Sequence, residues 1–240
     1  MHKRNKLVLL FVILVLFCGD CSAQCLSCHQ EYQKYLSTAH HLTSQPATAT
    51  SIAGSFAPGK NILRTSQREL QYVMESRKEG FFQTGILGTP PDAISVSERF
   101  DFVIGSGRKG QTYLYWGKDD QLLQLPVSYW TEVASWVNSP GYGDRSLDFS
   151  RPVVPRCLEC HASYFDSVAD AEVVNRYRRT GYVLGISCER CHGPGKRHAE
   201  LNAPGAPKPA DQAIMNPAKM EELGMVPKEG LNGIEKSQNP

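Results

Sequence analysis

The chain has 240 residues, of which 41% are hydrophobic and 21% are charged, and its formal net charge is +2 at pH 7. This composition is typical of a globular protein with one core or two small ones. It excludes a membrane channel, a collagen-like fibre and a wholly disordered chain, and the small net charge does not favour a nucleic-acid partner.

The first residues have the organisation of a secretory signal peptide. Basic residues precede an unbroken apolar run at 7–17, and a small-residue cleavage site ends at Ala23. The run is shorter than the roughly 20 residues that a membrane-spanning helix needs. We expect residues 1–23 to be removed on export to the periplasm, which leaves no membrane span. Because three basic residues and one acidic residue are lost with them, the net charge falls from +2 to 0. The alternative is an uncleaved anchor, or a lipid anchor at Cys18 or Cys21.

The cysteines form two tight groups, which indicate a cofactor rather than scattered disulfides. They are Cys18, Cys21, Cys25 and Cys28, and then Cys157, Cys160, Cys188 and Cys191. Because the first two leave with the signal peptide, six remain. All six belong to one repeated pattern, Cys-x-x-Cys-His, at 25–29, 157–161 and 188–192.

This pattern predicts covalent attachment of three c-type haems. Residues i and i+3 share one face of a helix, so two thiols can reach two vinyl groups along one edge of the porphyrin and form thioethers. The histidine that follows ligates the iron, which makes His29, His161 and His192 the proximal ligands. A thioredoxin-like pair does not require these histidines and structural zinc does not account for all three, while disulfides between adjacent cysteines stay open as an alternative.

Three further histidines, His40, His41 and His198, are candidates for the distal side of the irons. Neighbouring residues on a helix point about 100° apart, so we expect at least one of the adjacent pair to be a ligand. The helical spacing of Tyr32, Tyr35 and Leu36 would carry His41 about 18 Å from His29. The turn Gly-Pro-Gly at 193–195 ends the helix that holds His192. We therefore predict cross-ligation, in which a segment of one haem supplies the distal ligand of another.

The middle of the chain contains neither cysteine nor histidine and is predicted to be rich in β-strands. Alternating apolar residues indicate short strands between 70 and 104. The sequences TYLYW at 112–116 and QLLQLP at 121–126, joined by the turn GKDD, indicate a hairpin. The glycines of VIGSGRKG lead into a strand, so we reject a dinucleotide-binding loop.

Methionine and tryptophan residues of this middle region are candidates either for the protein core or for contact with the haems. Met74 lies on a predicted strand and is assigned to the core rather than to an iron. The three tryptophans are expected to form one small core, and walls against haem faces are the alternative. They are Trp116, Trp130 and Trp136.

The sequence divides into five parts with different compositions. They are a signal peptide at 1–23, an N-terminal haem segment at 24–49, a β-rich middle region at 50–150, a two-haem segment at 151–205 and a proline-rich, flexible tail at 206–240. The predicted fold class is a multihaem cytochrome, in which short helices and loops pack around c-type haems with a small β-rich insert in the middle.

Several longer stretches resemble the exported bacterial multihaem c-type cytochromes of the cytochrome c-554/c-552-like family. They are HHLTS at 40–44, FVIGSGRKGQTYLYW, QLPVSYW, PRCLECH and, most specifically, GISCERCHGPGKRH. The resemblance implies thioethers at the six mature cysteines, mostly two axial histidines per iron, and distal ligation by His198 and by His40 or His41. Better-known relatives have four or more haems and continue past an Asn-Pro-Ala-Lys segment, here at 216–219, into another motif. A shortened or split member would leave one iron without a downstream ligand.

The favoured function is transfer of single electrons between redox partner proteins in the periplasm through mostly bis-histidine haems, as a carrier rather than an enzyme. One alternative is a multihaem oxidoreductase with one open haem that acts on a small nitrogen or sulfur compound. The other is a haem subunit of a larger redox complex. Basic residues beside the motifs either pair with haem propionates or are solvated charges; they are Arg156, Arg190, Lys196 and Arg197.

Overall fold

The computed structural model describes residues 21–168, 173–207, 213–214, 225–226 and 236–237. The predicted signal peptide lies outside these residues up to position 20, as does most of the predicted tail. The strands are β1 Ser44–Pro46, β2 Ile62–Arg64, β3 Leu70–Arg77, β4 Gly80–Leu87, β5 Ile94–Arg99, β6 Phe102–Ile104, β7 Gly110–Trp116, β8 Leu122–Gln124, β9 Val127–Trp130, β10 Ser135–Asn138, β11 Ala162–Tyr164, β12 Val183–Leu184, β13 Met225–Val226 and β14 Lys236–Ser237.

Strands β1 to β10 form two antiparallel sheets. One has the strand order β2-β3-β4-β5. The other has the order β1-β6-β7-β9-β10, and β8 pairs with the C-terminal end of β7. Strand β5 leads directly into β6 through Phe100 and Asp101, whose backbone N–H groups donate to Phe81 and Leu114. This corner therefore joins the two sheets, and we call the joined sheets the β body.

The main core lies between the two sheets. Strand β3 alternates buried and partly buried residues, so that Leu70, Tyr72 and Met74 all point inward. These side chains meet Tyr113 and Trp136 from the other sheet. Burial raises the pKa of the Tyr72 hydroxyl to about 12. The two sheets are therefore held together by the apolar side chains packed between them.

A buried amide also joins the sheets across this core. The side chain of Gln83 on β4 is fully buried; its Nε2 donates to the Val127 carbonyl at 3.1 Å, and its Oε1 accepts from the Val127 N–H at 2.8 Å. One side chain thereby satisfies both backbone groups of a residue in the opposite sheet.

A second, smaller core attaches the Cys-x-x-Cys-His segments to the β body. The faces of β6 and β7 that point away from the main core present Phe102, Ile104 and Leu114 to Leu158 and Tyr177. The turn between β7 and β8 adds polar links, because the Asp120 carbonyl accepts from the Tyr177 N–H at 3.0 Å. The β body is therefore the support on which the site is built.

The β-rich character of the middle region is confirmed. The predicted hairpin is β7 paired with β8, and Gly110 begins β7, as expected for glycines that lead into a strand. Met74 is 0% exposed within the main core. The region is larger than an insert, since ten strands and the main core lie between residues 44 and 149.

The prediction of one tryptophan core is wrong. Trp136 lies in the main core, Trp116 packs beside the second core, and Trp130 is 47% exposed. The three residues lie on different strands or different faces of one sheet, so closeness in sequence does not bring them together.

The helices are short, as predicted. They are α1 Cys21–Cys28, α2 Pro155–His161, α3 Cys188–His192 and α4 Lys196–Leu201. The segment between His29 and His41 is a 3₁₀ helix at Gln30–Ser37 rather than the expected α-helix, and a second 3₁₀ turn spans His41–Thr43. None of the helices in the described part of the chain has the length and apolar character needed to cross a bilayer.

Candidate haem-binding site

Each Cys-x-x-Cys-His motif lies on its own short helix. The first motif begins on α1, the second is the body of α2, which Pro155 begins, and the third is α3. All six cysteines are free thiols, and Cys28, Cys157, Cys160 and Cys191 are exposed. The disulfides kept open as an alternative do not form among them, so every thiol is available for a thioether.

The first and third motifs lie side by side, although most of the chain separates them. Helix α1 packs against α3, and the side chains of Cys25 and Cys188 are hydrogen-bonded. Burial, with Cys188 and Glu189 close by, raises the pKa of the Cys25 thiol. The structure thus joins the N-terminal and C-terminal motif segments.

Two histidines from these segments lie close together. The imidazole rings of His29 and His198 have centroids 6.2 Å apart and planes inclined by only 16°. Two imidazoles that bind one metal ion from opposite sides, each through a nitrogen at about 2 Å, have centroids about 6 Å apart. The pair therefore has the spacing of a proximal and a distal ligand of one iron.

The short turn after α3 brings His198 to this position. Gly193 ends α3 with a φ of +76°, a conformation that favours glycine. The Gly195 N–H then donates to the Glu189 carboxylate at 2.8 Å, immediately before α4 begins. The helix that carries His198 is thereby turned back toward α1.

The second motif is bound by the segment His40–Ser44. The hydroxyl oxygen of Thr43 lies 3.0 Å from Nδ1 of His161, and the Ser44 hydroxyl donates to the His161 carbonyl at 2.5 Å. Burial lowers the pKa of the His161 imidazole, which favours its neutral form. A neutral imidazole with Nδ1 engaged keeps Nε2 for a metal.

The same segment also contacts the residues that precede the third motif. The Ile186 N–H donates to the His40 carbonyl at 3.0 Å, and the Gly185 N–H donates to the Ser44 hydroxyl at 2.8 Å. The Tyr35 hydroxyl donates to the Ile186 carbonyl at 2.8 Å. Residues 35–44 thus contact both C-terminal motif segments.

His40 and His41 differ in their surroundings. The His40 residue is exposed, whereas His41 is partly buried and its ring lies edge-on to Tyr35 at a centroid distance of 6.0 Å. Within the described residues, Nδ1 of His41 is buried and has no hydrogen-bond partner. An unsatisfied buried nitrogen in a haem segment fits a side chain whose surroundings are completed by a bound group.

The second and third motif helices are linked by a basic side chain. Arg190 on α3 donates to the Glu159 carbonyl on α2 at 3.1 Å, while Arg156 pairs with the Glu159 carboxylate at 2.9 Å. Beside this link is a cleft lined by Leu158, Tyr164, Phe165, Tyr177 and Arg190. Its apolar side chains would suit a porphyrin face and Arg190 would suit a propionate, although Glu159 also lines the cleft.

The residues present therefore fit haem: paired thiols on helices, a histidine after each pair, and a partly apolar cleft beside the second and third motifs. Sequence reasoning missed the hydroxyl groups of Thr43, Ser44 and Ser163, which satisfy polar groups around two motifs. The signal available in the sequence was the position of Thr43 and Ser44, two and three residues after the candidate distal ligand His41.

Comparison with known proteins agrees with this site. The family model described as cytochrome c554 and c-prime matches residues 143–193, whereas no curated protein matches significantly. One solved structure, that of outer cell wall cytochrome OcwA, aligns with 84% of this chain at 16% identity and a TM-score of 0.47, and the chain spans only 35% of that chain's length. The family match contains the second and third motifs, so the resemblance to c-type cytochromes, which carry covalently bound haem c and transfer electrons, is confirmed.

Proposed function

We propose that the protein is a periplasmic tri-haem cytochrome c that passes single electrons between redox partner proteins. Each haem is attached by one Cys-x-x-Cys-His motif, with His29, His161 and His192 as proximal iron ligands. Haem iron, when bound, supplies the one-electron chemistry. The protein residues attach the three groups, orient the axial imidazoles and hold the groups close together.

The observation that carries this proposal is the close pair His29 and His198. Their 6.2 Å centroid separation supports bis-histidine ligation of the first haem, with the distal ligand supplied from beyond the third motif. This is the predicted cross-ligation. A six-coordinate iron offers no site for a substrate, which favours an electron carrier over an enzyme.

The distal ligands of the other two irons are assigned to His40 and His41. Both lie in the segment that contacts the second motif through Thr43 and the third through the residues before it. Ligation from this segment would give each haem one ligand from a distant part of the chain. The three irons would then fasten the N-terminal segment to the C-terminal pair.

Electron donors and acceptors would dock where the haem edges reach the surface. Four of the six motif cysteines are exposed, which supports short electron-transfer distances to a partner. Propionates would add negative charge to a mature chain of net charge 0, so we expect docking through an uncharged or acidic face rather than a basic one.

The test is a haem count by intact mass combined with a reduced spectrum recorded with and without carbon monoxide. Three haems with no change on adding carbon monoxide would support the carrier. A large change on one haem would instead support an oxidoreductase with an open iron. Fewer than three haems would contradict the proposal, and stable co-purification with a larger complex would favour a subunit over a free carrier.

A further inference from the structure

We propose that Thr43 is a positioning residue for the iron held by His161, and that its hydroxyl lowers the reduction potential of that haem. The inference rests on the proposed function, because it requires haem at Cys157 and Cys160. It assigns a role to a side chain outside the motifs and outside the set of candidate ligands.

The geometry places the Thr43 hydroxyl on the outer nitrogen of the ligand. Thr43 Oγ1 lies 3.0 Å from Nδ1 of His161, a hydrogen-bonding distance. When Nε2 binds a metal, Nδ1 carries the proton, so the threonine oxygen accepts. Outer partners of this kind fix the orientation of a ligating imidazole and increase its basicity.

Three contacts fix the backbone around Thr43. The Gly105 N–H donates to the Thr43 carbonyl at 2.7 Å, and the next residue begins β1, in which Ser44 pairs with Ile104 on β6. The Ser44 hydroxyl also binds the His161 carbonyl. The Thr43 side chain is therefore presented to His161 by the β body rather than by a mobile loop.

This arrangement has a defined electrostatic consequence. A hydrogen bond accepted from Nδ1–H increases the negative character of the imidazole, which stabilises oxidised iron more than reduced iron. The His161 residue is partly buried, so bulk water competes less for the same proton. Loss of the hydroxyl should raise the reduction potential of this haem alone.

The experiment compares Thr43→Val, which keeps the shape and removes the acceptor, with Thr43→Ser, which keeps the hydroxyl. The holoprotein is titrated spectroelectrochemically. We expect Thr43→Val to shift the ratio of oxidised to reduced iron at one haem by up to about tenfold, which is about 59 mV for a one-electron couple. Thr43→Ser should restore the wild-type value. The matched control, away from the motifs, is Thr65→Val, which removes a threonine hydroxyl that donates to the Leu70 carbonyl at 3.0 Å and should leave the potential unchanged.

An unchanged potential in Thr43→Val, or an equal shift of all three haems, would overturn the inference. If Thr43→Val does not fold, the inference is tested on the wild-type protein by NMR. Rapid solvent exchange of the His161 Nδ1 proton would overturn the inference, and slow exchange would support it. A peptide mass map of residues 157–161 shows separately whether haem is attached. Its absence would contradict the proposed function and, with it, this inference, whereas attached haem with an unchanged potential in Thr43→Val would overturn the inference alone.

Discussion

The β body and the haem segments are stabilised in different ways. Between the two sheets, large side chains such as Tyr72, Met74 and Tyr113 are almost completely buried, and each contributes roughly 1.5–3 kcal/mol to folding. In the helices of the haem segments, α1 buries Leu26 and α2 buries Leu158, whereas α3 and α4 bury no side chain. The β body has its own interior, while the haem segments depend on hydrogen bonds to it and on the groups that they bind.

The difference shows how this sequence distributes its stability. A chain can hold exposed thiols and histidines close together without a local core only if a neighbouring core fixes the backbone. Here β1 and the second core provide that fixation, at Ser44 and Leu158. Bound haem would supply the apolar contacts that the short helices lack.

The largest effect is expected from preventing haem attachment. In a chain with all six motif cysteines changed to serine, amide hydrogen exchange in α1 and α3 should be at least a hundredfold faster than in the holoprotein. The amides of β3, β4 and β7 should stay protected, because their core is formed by side chains of the two sheets. Uniform loss of protection along the chain would show that the two regions are not independent.

A smaller effect is expected from Gly185→Ala. The added Cβ would lie 2.0 Å from the His41 carbonyl oxygen at a φ of +66°, so residues 40–44 must move. We expect a loss of about 2–5 kcal/mol together with new carbon monoxide binding. Gly181→Ala is the matched control, because Gly181 has a φ of +80° and nothing within 4 Å.

Denaturant unfolding and carbon monoxide difference spectra separate the two glycine variants. Gly181→Ala introduces the same backbone strain as Gly185→Ala but no close contact. It should therefore lower the free energy of unfolding by only about 1–2 kcal/mol and should not expose an iron. Equal stability losses and equal spectra for both variants would contradict the close contact between Gly185 and the distal histidine segment.

Within the β body, Gln83→Leu should cost about 2–4 kcal/mol. The change leaves the N–H and carbonyl of Val127 buried without their partners, and each orphaned group costs about 1–3 kcal/mol. Chemical denaturation measures the loss, and the exposed Gln67→Leu is the control. The haem spectrum should not change. A spectral change at the haems would show that the sheets and the haem sites are coupled more strongly than the structure indicates.

The smallest effect concerns the acid sensitivity of the four-stranded sheet. Burial opposes ionisation of Glu75, but hydrogen bonds from Thr84 and Arg77 prevail and lower the pKa of its carboxyl below 4.5. The ionised group therefore stabilises the fold above pH 4.5, and this contribution is lost as the pH falls through the lowered pKa.

Glu75→Gln should accordingly be less stable than the wild type at pH 7 by under about 1 kcal/mol, since the pair is partly exposed. The difference should disappear as the pH falls below 4.5. Thermal unfolding at several pH values measures it, with the exposed Glu79→Gln as control. A difference that grows in acid would reverse the assigned sign.

Local sequence patterns predict part of this architecture and not the rest. Alternation predicts β3, and the turn sequence predicts the β7–β8 hairpin, because both depend on residues close together in the chain. The motifs themselves predict thioether sites. By contrast, the bond from Thr43 to His161 depends on the pairing of β1 with β6, and the position of Trp130 depends on which face of the sheet it occupies. Such long-range contacts leave no local periodicity.

The most direct test of the central claim is the carbon monoxide difference spectrum of His198→Ala compared with that of the wild type. The 6.2 Å spacing of the His29 and His198 rings predicts that the variant keeps three haems and that one additional iron, the one bound by His29, becomes reactive toward carbon monoxide. An unchanged difference spectrum with every haem still low-spin would contradict cross-ligation of the first haem.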